Sequence, residues 1–210
     1  MQFGLSEEQI LLIDNVNRFL DDNSPLDRVR LYADGGDDAD IWAGLAELGV
    51  PALLVPEAQG GIGLNPLDAA IVAESLGAHI TPSPFLGTAV MAPTALVASG
   101  GNHDDLLAEI AAGTHRVGIA FSEAIKRRND ARVEARDSRL FGKSLFAFDA
   151  DADSYLVADQ KQHVYLVAAD DPGLTRTHLT TVDKTRRTVE LTYDNAAAQS
   201  VSTDVRVFES

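Results

Sequence analysis

The chain has 210 residues, 45% of them hydrophobic, a formal net charge of −15 and no cysteine. That length holds two modest domains or one large one, and the lack of cysteine excludes disulfides, thiolate nucleophiles and cysteine-ligated metals and fits a reducing, cytoplasmic setting. No apolar run reaches the ~20 residues of a membrane span, and the opening Met1-Gln2-Phe3-Gly4-Leu5-Ser6-Glu7-Glu8 has neither a basic region nor an apolar signal core.

The charge is unevenly placed. Residues 1–114 carry 3 Lys/Arg against 17 Asp/Glu, whereas residues 115–210 carry 14 against 15. The first part repels nucleic acid and anionic membranes, and its charge serves solubility. The second part holds nearly all the cations, so an anionic ligand would meet that half.

Residues 6–20 read as an amphipathic helix, with Ser6 as cap, Gln9 as its capping-box partner, and Ile10, Ile13, Val16, Phe19 and Leu20 at helical spacing. Asp34 to Asp40 reads as a turn, followed by a helix with Trp42, Leu45 and Leu48 on its apolar face and Gly49 as its stop. Val50 to Pro56 is bracketed by prolines and reads as extended chain or a tight crossing. A glycine-rich loop, Glu57 to Leu64, comes next, and Asn65-Pro66 opens a further helix in cap-then-proline order. Another helix runs from near Pro84 to Gly100-Gly101, and a short one from Asp104 to Ala112. From His115 the period changes. Val117–Phe121, Val133–Arg136, Arg139–Gly142, Tyr155–Ala158, Val164–Val167 and Thr188–Leu191 read as strands, with Asp204–Phe208 as a last one. Asp137-Ser138 and Asp159 to Gln162 read as hairpin connections. The fold class is therefore α+β: an all-α domain over 1–114, then a β-barrel or sandwich over 115–210.

Local motifs are few. Gly60-Gly61-Ile62-Gly63 lacks the preceding strand of a dinucleotide fingerprint and the Lys-Ser/Thr of a triphosphate loop, so it reads as a tight turn between closely packed helices. The five histidines show no metal-ligand spacing, and no metal is expected. Asp149, Asp151 and Asp153 alternate, but the twelfth position counted from Asp149 is Gln160, not the glutamate of a calcium loop. The run reads as a solvated bend. Ser122 ends a strand, where its hydroxyl can meet a ligand or simply close a turn. Lys126-Arg127-Arg128 can hold a phosphate or form a solvated loop.

Taken together, these residues resemble the acyl-CoA dehydrogenase family. The match runs through Phe3-x-Leu5-Ser6-Glu7-Glu8-Gln9, then Trp42-x-x-Leu45-Ala46-Glu47-Leu48-Gly49-Val50 and Val55-Pro56-Glu57-x-x-Gly60-Gly61-x-Gly63. It continues through Val72-x-Glu74-x-Leu76-Gly77 and Pro82-x-Pro84-Phe85. Later come Ala120-Phe121-Ser122-Glu123, Leu140-x-Gly142-Lys143, Phe146-x-x-Asp149-Ala150 and Ala152-Asp153-x-x-Leu156-Val157. Each piece is short, but their order and spacing cover nearly the whole chain.

The resemblance implies an N-terminal helical domain and a middle β-domain, with the family's C-terminal four-helix domain absent. It implies an FAD-dependent oxidoreductase of acyl-CoA metabolism acting on a CH–CH bond of an acyl-CoA thioester, often passing electrons to an electron-transfer flavoprotein. The carboxylate base comes from the family's third domain, so no catalytic residue is assigned here. Ser122 matches the residue that hydrogen-bonds the flavin ring, with Ile119 and Phe121 as flanking contacts, and Phe146 matches the aromatic residue beside the flavin. Phe148 falls where many members have a hydroxyl near flavin N5, a bond phenylalanine cannot make. Arg127-Arg128 replaces a Gly-Ser turn near the ligand's phosphates, and Ala124 replaces a proline. Phe85 and Thr88 match a stretch that can line the acyl pocket, while Phe85 serves equally as core packing. The expectation is the front part of a flavoprotein dehydrogenase. The alternative is a non-catalytic partner subunit of a heteromeric one, in either case a homo- or hetero-oligomer.

Overall fold

In the computed structural model, residues 4–122 and 131–203 are described. Helices occupy the first part: α1 (Glu7–Asn23), α2 (Leu26–Ala33), α3 (Ala39–Glu47), α4 (Pro66–Ala78), a π-helical segment Phe85–Met91 that runs directly into α5 (Ala92–Ala98), and α6 (Asp104–Ala111). The caps behave as their chemistry requires. Gln9 N–H donates to Ser6 Oγ at 3.2 Å and Ser6 N–H donates to Gln9 Oε1 at 2.9 Å, closing the capping box of α1. Asn65 Oδ1 likewise accepts from Leu67 N–H at 2.9 Å, with Pro66 at the first helical position. Val16, Leu20, Trp42, Leu45, Leu53, Val72 and Phe85 close into one helical core. Burying a leucine such as Leu20 or Leu45 fully contributes roughly 2–3 kcal/mol each.

Three points of the helical reading need correction. The sequence reading has no helix at α2, which is only eight residues long and buries only Val29 and Tyr32. The segment Val50–Ala52 is a short 3₁₀ turn rather than extended chain, and the helix expected from Pro84 begins as a π segment.

The glycine loop packs against this turn. N–H groups of Gly61, Ile62, Gly63 and Leu64 donate to the carbonyls of Pro56, Ala52, Val55 and Leu53. Those amides are therefore consumed internally and make no phosphate cradle. A Cβ on Gly61 would stand 1.9 Å from Val55 O, so only glycine fits this close approach. The partner of the loop is the 52–56 turn rather than a second helix.

The β part holds β1 (Val117–Ala120), β2 (Val133–Arg136), β3 (Arg139–Phe148), β4 (Ser154–Ala158), β5 (Val164–Ala168), β6 (Leu174–His178), β7 (Thr188–Ala197) and β8 (Gln199–Ser202). The hydrogen-bonded order is β6-β7-β3-β1-β4-β5-β8, with β2 also on β3. β6 and β8 end this path without pairing to each other among the described residues, so the sheet is open and sandwich-like rather than a closed barrel. β1 pairs parallel with β4, and the other pairs are antiparallel. β3 and β7 run well past the expected Gly142 and Leu191. Bulges at Leu140/Phe141 and Ser144/Ala147 break the alternation that would have marked their length. β6 and β8 were not anticipated, and β6 is exposed along nearly its whole length. The expected strand at 204–208 lies outside the described residues. Asp137 and Ser138 form the β2–β3 hairpin turn with φ of 47° and 57°.

The sheet has two apolar faces. Ile119, Phe121 and Leu156 pack with Val55, Leu96 and Ile110, forming a core between helices and sheet. Tyr155, Val157, Val189 and Leu191 fill the opposite face. Trp42 spans the junction by donating its indole N–H to Gly113 O at 3.0 Å.

Candidate functional site

One end of β1 collects the residues that the resemblance marks for a flavin. Ile119 faces Phe148 across the antiparallel pair β1–β3. Both pack, with Phe121, into the core between helices and sheet. Ser122 lies just past β1, where its Oγ donates to Leu145 O at 2.6 Å. Phe146 is 47% exposed and adopts φ 56°, a left-handed conformation uncommon for a bulky residue. The Ser144/Ala147 bulge permits this turn of the chain. The result is a hydroxyl bonded to the carbonyl of the residue just before an exposed aromatic ring.

A flavin needs an apolar face to stack on and hydrogen-bond partners at its pyrimidine edge. Phe146 and Ser122 fit those two needs. Phe148 fits neither, since it has no polar atom and packs into the core.

Phe85 and Thr88 both lie on the π segment. Phe85 is 5% exposed, belongs to the helical core, and also borders an open cleft beside Leu76 and Ile80. Thr88 is fully buried, its Oγ1 accepting from Val117 N–H at 2.9 Å and donating to Val117 O at 3.4 Å. That hydroxyl fastens the π segment to β1. Arg127 and Arg128, with Glu123, Ala124 and Lys126, lie outside the described residues.

The structure adds a cluster at the other end of β1. Arg116 pairs with Asp38 at 2.8 Å, the two side chains being only 18% and 10% exposed. Arg187 pairs with Asp151 at 3.1 Å, lies 4.3 Å over the Tyr32 ring, and donates to Gly36 O. Burial pushes the Tyr32 hydroxyl up to about 12, against the opposing pull of Arg187. Asp149 completes the cluster. Its Oδ2 is shut off from solvent and has no hydrogen-bond partner. Desolvation pushes its carboxyl up to about 7, with Arg186 and Arg116 opposing and Asp38 and Asp151 assisting.

The reading of Asp149–Asp153 as a solvated bend is therefore corrected. Asp151 and Asp153 are exposed, Ala150 and Ala152 are buried, and Asp149 turns inward. A cavity of about 20 Å³ lies beside it, room for a single water. The signal for this was the buried alanines between the acids, which place the bend against the core.

Among the described residues no group of three His, Asp or Glu side chains is placed to hold a metal, and no helix is long and apolar enough to cross a membrane.

The family model described as "Acyl-CoA dehydrogenase, N-terminal domain" matches residues 6–114. The chain belongs to the acyl-CoA dehydrogenase family. It is 41% identical over 88 residues to the acyl-CoA dehydrogenase IpdE2 of Mycobacterium tuberculosis, a segment covering 41% of this chain and 27% of that relative. The ChsE4-ChsE5 complex from Mycobacterium tuberculosis superposes with a TM-score of 0.82 at 24% identity, over 98% of this chain and 58% of that one. A glutaryl-CoA dehydrogenase from Mycobacterium smegmatis in complex with FADH2 gives 0.80 at 18% identity, over 96% and 56%. The chain thus spans little more than half of these solved chains, and the two structural likenesses establish the fold alone. Helical part followed by mixed sheet is the shared architecture.

Proposed function

We propose that residues 1–210 form the helical and β portions of an FAD-dependent acyl-CoA dehydrogenase that takes a proton from the α-carbon and a hydride from the β-carbon of an acyl-CoA thioester. The observation that carries this reading is the Ser122 hydroxyl at the end of β1, bonded to Leu145 O beside exposed Phe146 in the chain. FAD, when bound, supplies the hydride acceptor. In this reading Phe146 supports the ring, and Ser122 accepts from a ring N–H while Leu145 O takes its own proton. The carboxylate base comes from further polypeptide, in the same chain or in a partner. An electron-transfer flavoprotein then reoxidises the assembly.

A second reading is favoured by Phe148. A phenylalanine packed in the core where many members present a hydroxyl suits a partner subunit that completes a heteromeric dehydrogenase without performing the chemistry. One experiment separates the two. The protein is purified in its natural form with whatever copurifies, and its visible spectrum is followed as an acyl-CoA is added. A bound flavin that bleaches, and is lost with Ser122→Ala, supports the first reading. A bleaching flavin that survives Ser122→Ala assigns the flavin to the partner. A flavin-free preparation with no partner defeats both.

A further inference from the structure

A cleft of about 240 Å³ opens between the end of α4, the segment 80–86 and the loop joining β6 to β7. Leu76, Ile80, Phe85 and Leu86 give it an apolar lining, and Thr81, Ser83, Thr185 and Arg186 a polar one. Two features of this cleft are not explained by packing.

The first is Ile80. It closes α4, with Ile80 N–H on Gly77 O at 3.1 Å and Thr81 N–H on Leu76 O at 2.9 Å. That closure demands φ of 52° at Ile80. Glycine meets this demand without strain, whereas a β-branched residue meets it only at a cost. Yet Ile80 is 48% exposed, so its side chain recovers little of that cost in the core. What it does is extend the apolar lining of the cleft. Strain kept at a half-exposed apolar residue points to a surface that something else covers.

The second is Arg186. Its guanidinium makes no hydrogen bond or ion pair among the described residues. Two carboxylates lie within its electrostatic reach. Asp149 is buried and held up to about 7, so near neutral pH it is only partly ionised. Asp183 is exposed and spends Oδ1 on Thr185, accepting from Oγ1 at 2.6 Å and from N–H at 2.9 Å. Asp183 is coupled to Arg186 electrostatically, but neither carboxylate lies within ion-pair distance of the guanidinium among the described residues. An unpaired arginine beside an apolar lining has the chemistry to take a carboxylate on its planar fork and a chain beside it.

We propose that this cleft binds a medium-chain carboxylate, its chain on Leu76, Ile80, Phe85 and Leu86 and its carboxylate on Arg186. The site shares Phe85 with the acyl-CoA reading. Resting on that reading, it names the substrate class as an acyl group bearing a carboxylate remote from the thioester. Its test needs neither flavin nor coenzyme.

Full-length chain is titrated with decanoate below its micelle concentration, by calorimetry, beside decanol and acetate. Saturable decanoate binding is expected, at least about tenfold tighter than decanol and absent for acetate. Arg186→Gln should weaken it about tenfold or more, the range for losing a charged hydrogen bond, and Arg186→Lys should weaken it less. Ile80→Gly should weaken decanoate and decanol alike. Arg186 is exposed, so unchanged melting of its variants verifies their fold. No saturable decanoate binding, equal affinity for decanol, or Arg186→Gln binding as the parent does each overturns the proposal. Because no flavin is needed, a negative result leaves the dehydrogenase reading standing, and a flavin-free natural protein without a partner leaves carboxylate binding standing while removing its assignment as a substrate class.

Discussion

Asp149→Asn should make the protein more stable at alkaline pH and not at acidic pH. The side chain keeps its shape and loses only its ability to ionise. In the folded chain burial holds the carboxyl up to about 7, against 3.8 when exposed. Between those values the folded state keeps a proton that the unfolded state has released, so stability falls as pH rises through the window and levels off above it. The full window is worth at most about 4 kcal/mol at ~1.36 kcal/mol per unit. Between about pH 5 and about pH 8 the part traversed is roughly two units, or about 2–3 kcal/mol. Urea unfolding of parent and variant at these two pH values measures it. Only the difference between the proteins is read, which cancels titration of histidines such as His79, raised by its hydrogen bond to Ser75 O. The variant's advantage should grow by about 2–3 kcal/mol toward alkaline pH. An advantage that stays constant across pH would refute a buried, ionisable Asp149.

Three further substitutions test the junction and the cleft. Arg116→Met leaves Asp38 buried without its partner and should cost about 3 kcal/mol in urea unfolding, while adding Asp38→Asn should restore most of the loss; a double variant no better than the single one would show that charge is not the cause. Thr88→Val keeps the volume but strips Val117 of its hydrogen-bond acceptor, which should cost about 1–3 kcal/mol and speed hydrogen exchange at the Val117 amide selectively. Ile80→Gly should raise the melting temperature through relief of about 1–2 kcal/mol of left-handed strain, and Ile80→Ala, which keeps the strain, should not; equal effects of the two would remove the strain argument.

What was legible in the sequence was whatever local chemistry dictates. Ser6 with Gln9, Asn65 with Pro66, and Asp137-Ser138 each act through bonds to residues a few positions away, and each sits where its type requires. Elements whose marks are weak escaped. α2 buries two side chains, β6 is largely exposed, and β3 hides half its length behind a bulge. The candidate flavin residues were named from the family resemblance, not from local pattern, because Ser122 reaches the chain beside Phe146 only through the β1–β3 pairing. Thr88 was named from the same resemblance, and the fold adds a bond that position alone does not reveal. Its hydroxyl is bonded on both sides to Val117, a relation between residues 29 apart in sequence.

The charge step near residue 114 also takes on a structural meaning that composition did not give it. Most of the acidic surface on the helical part is solvated, but Asp38 is not, and its partner is Arg116 from the cation-rich half. Arg187, from the same half, reaches back to the Tyr32 ring and to Gly36 O. The β part thus supplies cations, and the helical part supplies a carboxylate, carbonyls and a ring face. Polar contacts of this kind are directional, so they fix how the two parts meet where an apolar core alone would tolerate sliding. Asp149 and Arg186 are the pair this scheme leaves unresolved, one carboxyl pushed up to about 7 by burial and one guanidinium without a hydrogen bond or ion pair among the described residues, both lining the small cavity. A ligand carboxylate on Arg186 would supply the missing charge without ionising Asp149. If so, decanoate binding should weaken as pH rises through about 7 in the parent, because ionised Asp149 then competes for Arg186, and it should lose that dependence in Asp149→Asn.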